Sequence, residues 1–233
     1  MRKIIVTDLT RFSNAETVCT AGIDVNTGEC FRPMPYLKSA RCAELNIQPG
    51  AILKGDLTFY PNATNPHIED ASYSKLHFHG PSTVEEFKTI LNNSLSKTVS
   101  KGFGVDFAIE QKHIPIQMDA NCSIITIKVA PYQIQIHEDK YKPGKVKCSF
   151  TDQSGHQFRY LSITDRGFYD FAQRHYDDGS LPELIDFVQS QEELYLRVGL
   201  SRAFQISGRN GYWLQVNGIY TFPEFHREIR SYQ

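Results

Sequence analysis

Short runs of β-branched and aromatic residues, separated by Gly, Pro, Asn and Asp, dominate this chain and predict a mainly β protein. Ten runs read as strands: 3–7, 17–25, 30–33, 52–60, 123–129, 133–137, 145–150, 158–163, 194–200 and 212–216. Asn26-Thr27-Gly28 and Gln153-Ser154-Gly155 each lie between consecutive runs. Both predict tight hairpins in which Gly takes a positive φ. Helical spacing is rarer. Ser82 and Glu85 form a capping-box pattern ahead of Val84, Phe87, Ile90, Leu91 and Leu95, which predicts a helix over 83–95. A second helix follows Thr164 or Asp165 as N-cap, buries Phe168, Phe171, Ala172 and Tyr176, and stops at Gly179. Pro182 suits the first turn of a third, with Leu184, Ile185 and Val188 inward.

One helix falls early and a pair falls late, each among several strands. That order predicts two β units with a helical insertion in each, and short strands with Gly-marked turns suit small barrels better than βαβ units. The polar stretch 114–121 around Pro115 is the candidate boundary, giving units 1–120 and 121–233. No fixed-period repeat or low-complexity tract is present.

A length of 233 residues allows one large core or two small ones. With 40% hydrophobic and 22% charged residues, the chain has enough apolar surface to fold. The apolar run Ile4-Ile5-Val6 is too short for a signal peptide, and no segment reaches the about 20 apolar residues of a membrane span. A cytoplasmic protein without a membrane partner is therefore expected. Five dispersed cysteines, an odd number, fit thiols in a reducing compartment, serving as small buried residues. The net charge of -1 argues against a strongly basic nucleic-acid protein. Three windows nevertheless hold basic residues and no acids: 30–43 with Arg32, Lys38 and Arg41, 140–151 with Lys140, Lys142, Lys145 and Lys147, and 194–223 with Arg197, Arg202 and Arg209. If they share a face they make a positive groove.

Catalytic arrangements are weak. Gly102-Phe103-Gly104 lacks the third glycine of a dinucleotide fingerprint, and Gly144-Lys145-Val146 lacks most of a phosphate loop. Gly199-Leu200-Ser201-Arg202-Ala203 has Ala where a nucleophile elbow closes with Gly. His77 and His79 share a strand face without further ligands, and Asp177-Asp178 reads as a solvated helix end. Neither a metal nor a cofactor is implied, and the chain carries no recognisable catalytic signature. Arginines beside apolar strands say more. Arg32 ends a strand before Pro33. Arg197 alternates with Leu196 and Val198, which puts it on one face with Tyr195 and Gly199, beside Trp213 if the next strand pairs there. Guanidinium groups pair with phosphate, and Tyr and Trp stack with bases.

Cys19-Thr20-Ala21-Gly22-Ile23-Asp24, Thr27-Gly28-Glu29-Cys30-Phe31-Arg32-Pro33, Tyr160-Leu161-Ser162-Ile163-Thr164-Asp165 and the stretch 196–223 resemble the prokaryotic dual OB-containing domain family. Phe31 stands where a Trp is expected, and Phe12-Ser13-Asn14 replaces a more basic run after Arg11. The motifs touch both ends of the chain. The resemblance implies two OB-like barrels packed together and a nucleic-acid or nucleotide partner, with Arg11, Arg32, Arg197, Ser201, Arg202, Trp213 and Asn217 as candidate binding residues. It supplies no catalytic residue. Three functions are consistent with the sequence: binding of single-stranded nucleic acid or a nucleotide on a basic, aromatic-lined face, a nucleotide-processing hydrolase using the arginines with Asp165 or Asp24, and an adaptor with a protein partner.

Overall fold

A computed structural model describes residues 1–225 and 227–230. The first barrel comprises β1 (Arg2–Arg11), β2 (Thr17–Asp24), β3 (Cys30–Met34), the short β4 (Leu37–Lys38), helix α1 (Ser39–Glu44), β5 (Ala51–Phe59) and β6 (Asp70–Pro81). β1 pairs with β5 at its start and with β2 along most of its length, and a register shift between Val6 and Asp8 bends it around the barrel. The circuit β1-β5-β6-β3-β2 returns to β1 and closes five strands, β3 and β6 being the parallel pair. Closure removes the exposed sheet edge.

Helices α2 (Val84–Asn93) and α3 (Val99–Phe103) and strand β7 (His113–Pro115) lead to the second barrel. It contains β8 (Ile124–Val129), β9 (Ile134–Glu138), β10 (Val146–Thr151), β11 (Gln157–Ile163), helices α4 (Arg166–Asp177) and α5 (Leu181–Gln189), β12 (Glu193–Leu200), β13 (Phe204–Ile206) and β14 (Arg209–Phe222). The order is β8-β12-β14-β11-β10-β9, with β11 and β14 parallel. β8 and β9 are consecutive and separated by the 3-10 turn Pro131–Gln133, so together they take the place of β1 and the first circuit is repeated. The chain is mainly β and its sheets run as two OB-like barrels, as the sequence pattern and resemblance predict.

All ten predicted strands form, with ends displaced by a few residues and β1 and β14 much longer than their apolar runs. Gly28 and Gly155 take φ of 74° and 83° in the two hairpins. The first helix is capped one residue later than its pattern suggests. Thr83 Oγ1 accepts from Glu86 N at 3.1 Å, and Glu86 Oε2 accepts from Thr83 N at 2.8 Å; the helix ends at Asn93, which leaves Leu95 beyond it. Asp165 caps α4 by accepting from Phe168 N. The sequence reading missed β6, whose polar Ser72, Ser74, Lys75, His77 and His79 dilute its strand signal, and the short elements α1, α3, β4, β7 and β13.

Each barrel has its own apolar cluster, and the second also takes in Val99, Phe103, Val105, Ile114 and Ala120. A third cluster joins them: Ile5, Ile23 and Ile52 meet Tyr195, Tyr220 and Phe222, with Phe87, Ile90 and Leu91 of α2 packed between. Fully burying a large side chain contributes about 1.5–3 kcal/mol, so this third cluster makes the two barrels one packed body. Tyr220 lies wholly inside and satisfies its hydroxyl by donating to Thr7 O at 2.6 Å. The five cysteines are free thiols. Burial pushes Cys19 and Cys122 up to about 11 and Cys30 and Cys148 up to about 12, which keeps them protonated. Among the described residues no helix is long and apolar enough to cross a membrane.

Candidate nucleic-acid interface

The arginines singled out by sequence bind the two barrels to each other. Arg197 is 1% exposed. Its Nε and Nη2 donate to Asp8 Oδ2 at 2.9 and 2.8 Å, Nη1 to Thr126 Oγ1 at 2.8 Å, and Nη2 to Cys30 Sγ at 3.4 Å. It stands opposite Gly218 and Thr126 in its sheet. The expected placement beside Trp213 is thereby corrected, because a register shift after Arg197 sets Leu200 opposite Leu214, leaving Trp213 beyond the strand's end. No solvent face remains to Arg197 for a ligand.

Arg32 is equally enclosed, donating to Asp70 Oδ1 at 2.5 Å and to Ser123 Oγ at 3.0 Å, with His67 Nδ1 at 3.0 Å from its Nη2. Glu69 accepts from Ser123 N, Ser123 Oγ and Ile124 N, so this carboxylate also spans the barrels. The half-exposed Arg202 grips the other side of Asp70 at 2.8 and 3.0 Å and donates to Tyr36 OH at 3.1 Å. Burial alone would raise the Asp70 carboxyl, but hydrogen bonding from Arg202 and the charge of Arg32 outweigh it and hold it below its ordinary value. His67, desolvated and flanked by Arg202 and Arg32, is driven down to about 3 and is neutral. The acids missing from the basic windows around Arg32, Arg197 and Arg202 thus arrive from β1 and from the end of the β5–β6 connection.

The other candidates scatter. Ser201 Oγ donates to Arg202 O and accepts from Trp213 N, and Trp213 stacks on His113 at 4.9 Å. Asn217 is buried and accepts from Thr164 Oγ1. Arg11 lies apart, its guanidinium 3.6 Å from the Tyr169 ring centroid. His77 and His79 are exposed on β6, and among the described residues no three His, Cys, Asp or Glu gather as a metal site.

A different surface has the shape of an interface. The outer face of β9, β10 and β11 bears a groove of about 510 Å3 lined by Tyr132, Gln133, Gln135, His137, Arg159 and Tyr160 among others, none of them acidic. Ile134 and Ile136 turn inward and leave the alternate Gln135 and His137 outside. A bulge opposes Ser149 to both Arg159 and Tyr160, and Tyr160 adopts φ 54°, so the two side chains both reach the groove. Ser149 Oγ accepts from Tyr160 N at 3.0 Å and lies 2.7 Å from His137 Nε2, while His137 Nδ1 is 2.9 Å from Glu138 O. The tautomer protonated at Nδ1 satisfies all three contacts and fixes the imidazole, edge-on to Tyr160 at 4.9 Å. Tyr132 and Tyr141 are 74% and 71% exposed, and Tyr141 reaches Tyr160 at 6.0 Å. Tyr141 therefore carries the 139–145 loop, with Lys140, Lys142 and Lys145, to the groove's rim. A separate hollow of about 290 Å3, lined by Glu110 as well as Gly155 and His156, adjoins the groove at Gln157 and Arg159. The lysine window is visible in the sequence, whereas these rings belong to none of its motifs apart from Tyr160. The available signal was the alternation Gln133-Ile134-Gln135-Ile136-His137, polar outside and apolar inside.

A family model described as a dual OB-containing domain matches residues 3–219. No curated protein matches the sequence. Among solved structures, a murine DNA binding protein bound with double-stranded DNA is 9% identical, over 93% of this chain and 97% of that chain, with a TM-score of 0.32, a likeness too slight to argue from.

Proposed function

Because the chain belongs to the dual OB-containing domain family, we propose that it binds single-stranded nucleic acid along the outer face of β9, β10 and β11. One observation carries this reading: the rings of Tyr132, His137 and Tyr160 and the guanidinium of Arg159 line one groove that no carboxylate lines. In OB barrels the face of the second and third strands and the loop joining the first two take oligonucleotides. Here those are β10, β11 and the lysine-bearing loop 139–145. Each exposed ring is a platform for an unstacked base, and the glutamine amides offer both donors and acceptors to base edges. The side chains follow the groove on one barrel, and the assignment of residues 1–120 to a first unit and 121–233 to a second belongs to the same proposal. Of the residues proposed from sequence, Arg202 and Trp213 stand next to the β12–β14 connection, the other loop such barrels use, and are proposed as secondary contacts. Arg197, Arg32 and Asn217 serve the fold.

The test is fluorescence anisotropy of labelled DNA and RNA oligonucleotides, single- and double-stranded. Wild-type protein is expected to bind single strands with an affinity that falls with salt. Tyr132→Ala and Arg159→Ala should each weaken binding on the order of tenfold, the scale of one stacked base. Equal affinity of wild type and both variants would overturn the placement.

A further inference from the structure

A second cleft lies where the barrels meet. The loop after β1 and the first turns of α4 enclose about 260 Å3, lined by Arg11, Phe12, Asn14, Ser39, Arg166 and Asp170 among others. The Arg11 guanidinium lies over the Tyr169 ring, 3.6 Å from its centroid, a cation–π contact that makes no use of its N–H groups. Among the described residues no hydrogen bond or carboxylate contact engages them. Asn14 Oδ1 accepts from Thr17 Oγ1 at 3.1 Å, so its amide NH2 keeps two donors. Ser39 Oγ accepts from Arg166 Nη1 at 2.7 Å and keeps its own O–H to donate. The cleft is therefore rich in donors, with Asp170 as the one carboxylate among its lining residues. Burial raises the Asp170 carboxyl and the charge of Asp165 adds to that, while Arg11, Arg166 and Arg174 pull it down, so Arg11 stands within electrostatic reach of the cleft's lining acid. Phe12, packed on Tyr36 at 4.9 Å, adds an aromatic wall.

We infer that this cleft is a binding site for the phosphate group of a nucleotide, with Arg11, Asn14 and Ser39 donating to the phosphate oxygens and Phe12 beside the base. The Arg11 guanidinium matches the charge of a phosphate monoester, and donors converging from the end of β1, the loop after it and the start of α1 fit its tetrahedral oxygens. The site is separate from the β9–β11 groove and shares no lining residue with it.

Isothermal titration of the full chain with AMP, adenosine and inorganic phosphate tests the assignment. AMP is expected to bind at least tenfold tighter than adenosine, and inorganic phosphate to compete with it. Arg11→Gln should weaken AMP at least tenfold and Asn14→Ala, on an exposed loop where folding is not at stake, a few fold. Tyr132→Ala and Arg159→Ala should leave AMP binding unchanged, which separates this site from the strand-binding groove. Equal affinity for AMP and adenosine, failure of phosphate to compete, or wild-type AMP binding by Asn14→Ala and a folded Arg11→Gln would overturn the inference.

Discussion

Arg197 carries its charge to the middle of the molecule because Asp8 waits there, and both are almost wholly excluded from water. Removing one member of a buried pair strands the other charge, at a cost of about 3–5 kcal/mol. Arg197→Met is therefore expected to lower stability by about that amount in urea unfolding, and adding Asp8→Leu to restore part of the loss. A change below about 1 kcal/mol for the single variant would contradict the buried pair. His67 makes a second prediction. Its folded-state value of about 3 lies below the ordinary 6.5, so the unfolded chain binds the proton more readily. The stability it contributes is complete above pH 6.5 and is lost as pH falls from there toward 3. His67→Gln, which keeps an acceptor for Arg32, should show a flatter Tm profile across that window, and parallel profiles would disprove the assignment. At this scale the sequence marks Arg32, Arg197 and Arg202 as unusual without giving their partners. Asp8 on β1, and Glu69 and Asp70 where the β5–β6 connection enters β6, are brought near only by the folding of the barrels.

Among the elements, β11 shows how a local irregularity makes a surface. Its bulge presents Arg159 and Tyr160 together, and Ser149 ties the bulge to His137. The hairpins and the amphipathic helices α4 and α5 were legible because their periodicity and Gly positions act within a few residues. The bulge was not, since it depends on a mismatch between two strands. Nor was β6, whose exposed side is polar throughout. Helix α2 offers a direct check on the revised cap. Thr83→Ala should destabilise by about 1 kcal/mol in denaturant titration, and Ser82→Ala by clearly less. The reverse order would restore the cap at Ser82.

For the molecule as a whole, the cluster around Tyr220, the ion pairs of Asp8 and Asp70 and the hydrogen bonds of Glu69 fuse the barrels. Thermal unfolding is expected as one cooperative transition, and two resolved transitions would contradict the fused core. The sequence identified two barrels and their family, yet it pointed to motif residues as ligand contacts. Of those motif residues Arg32, Arg197 and Arg202 sit at the junction between barrels, while the groove is lined by Tyr160 and by side chains such as Tyr132, Gln135 and Arg159 that belong to no motif. In the proposed function, β9, β10 and β11 form the face that holds a strand of nucleic acid. Anisotropy of a labelled single-stranded oligonucleotide, titrated with wild type and with Tyr132→Ala plus Arg159→Ala at low and high salt, tests it most directly. Salt-sensitive wild-type binding that the folded double variant loses is the expected result, and equal binding by the two proteins, or none by the wild type at low salt, would rule this face out.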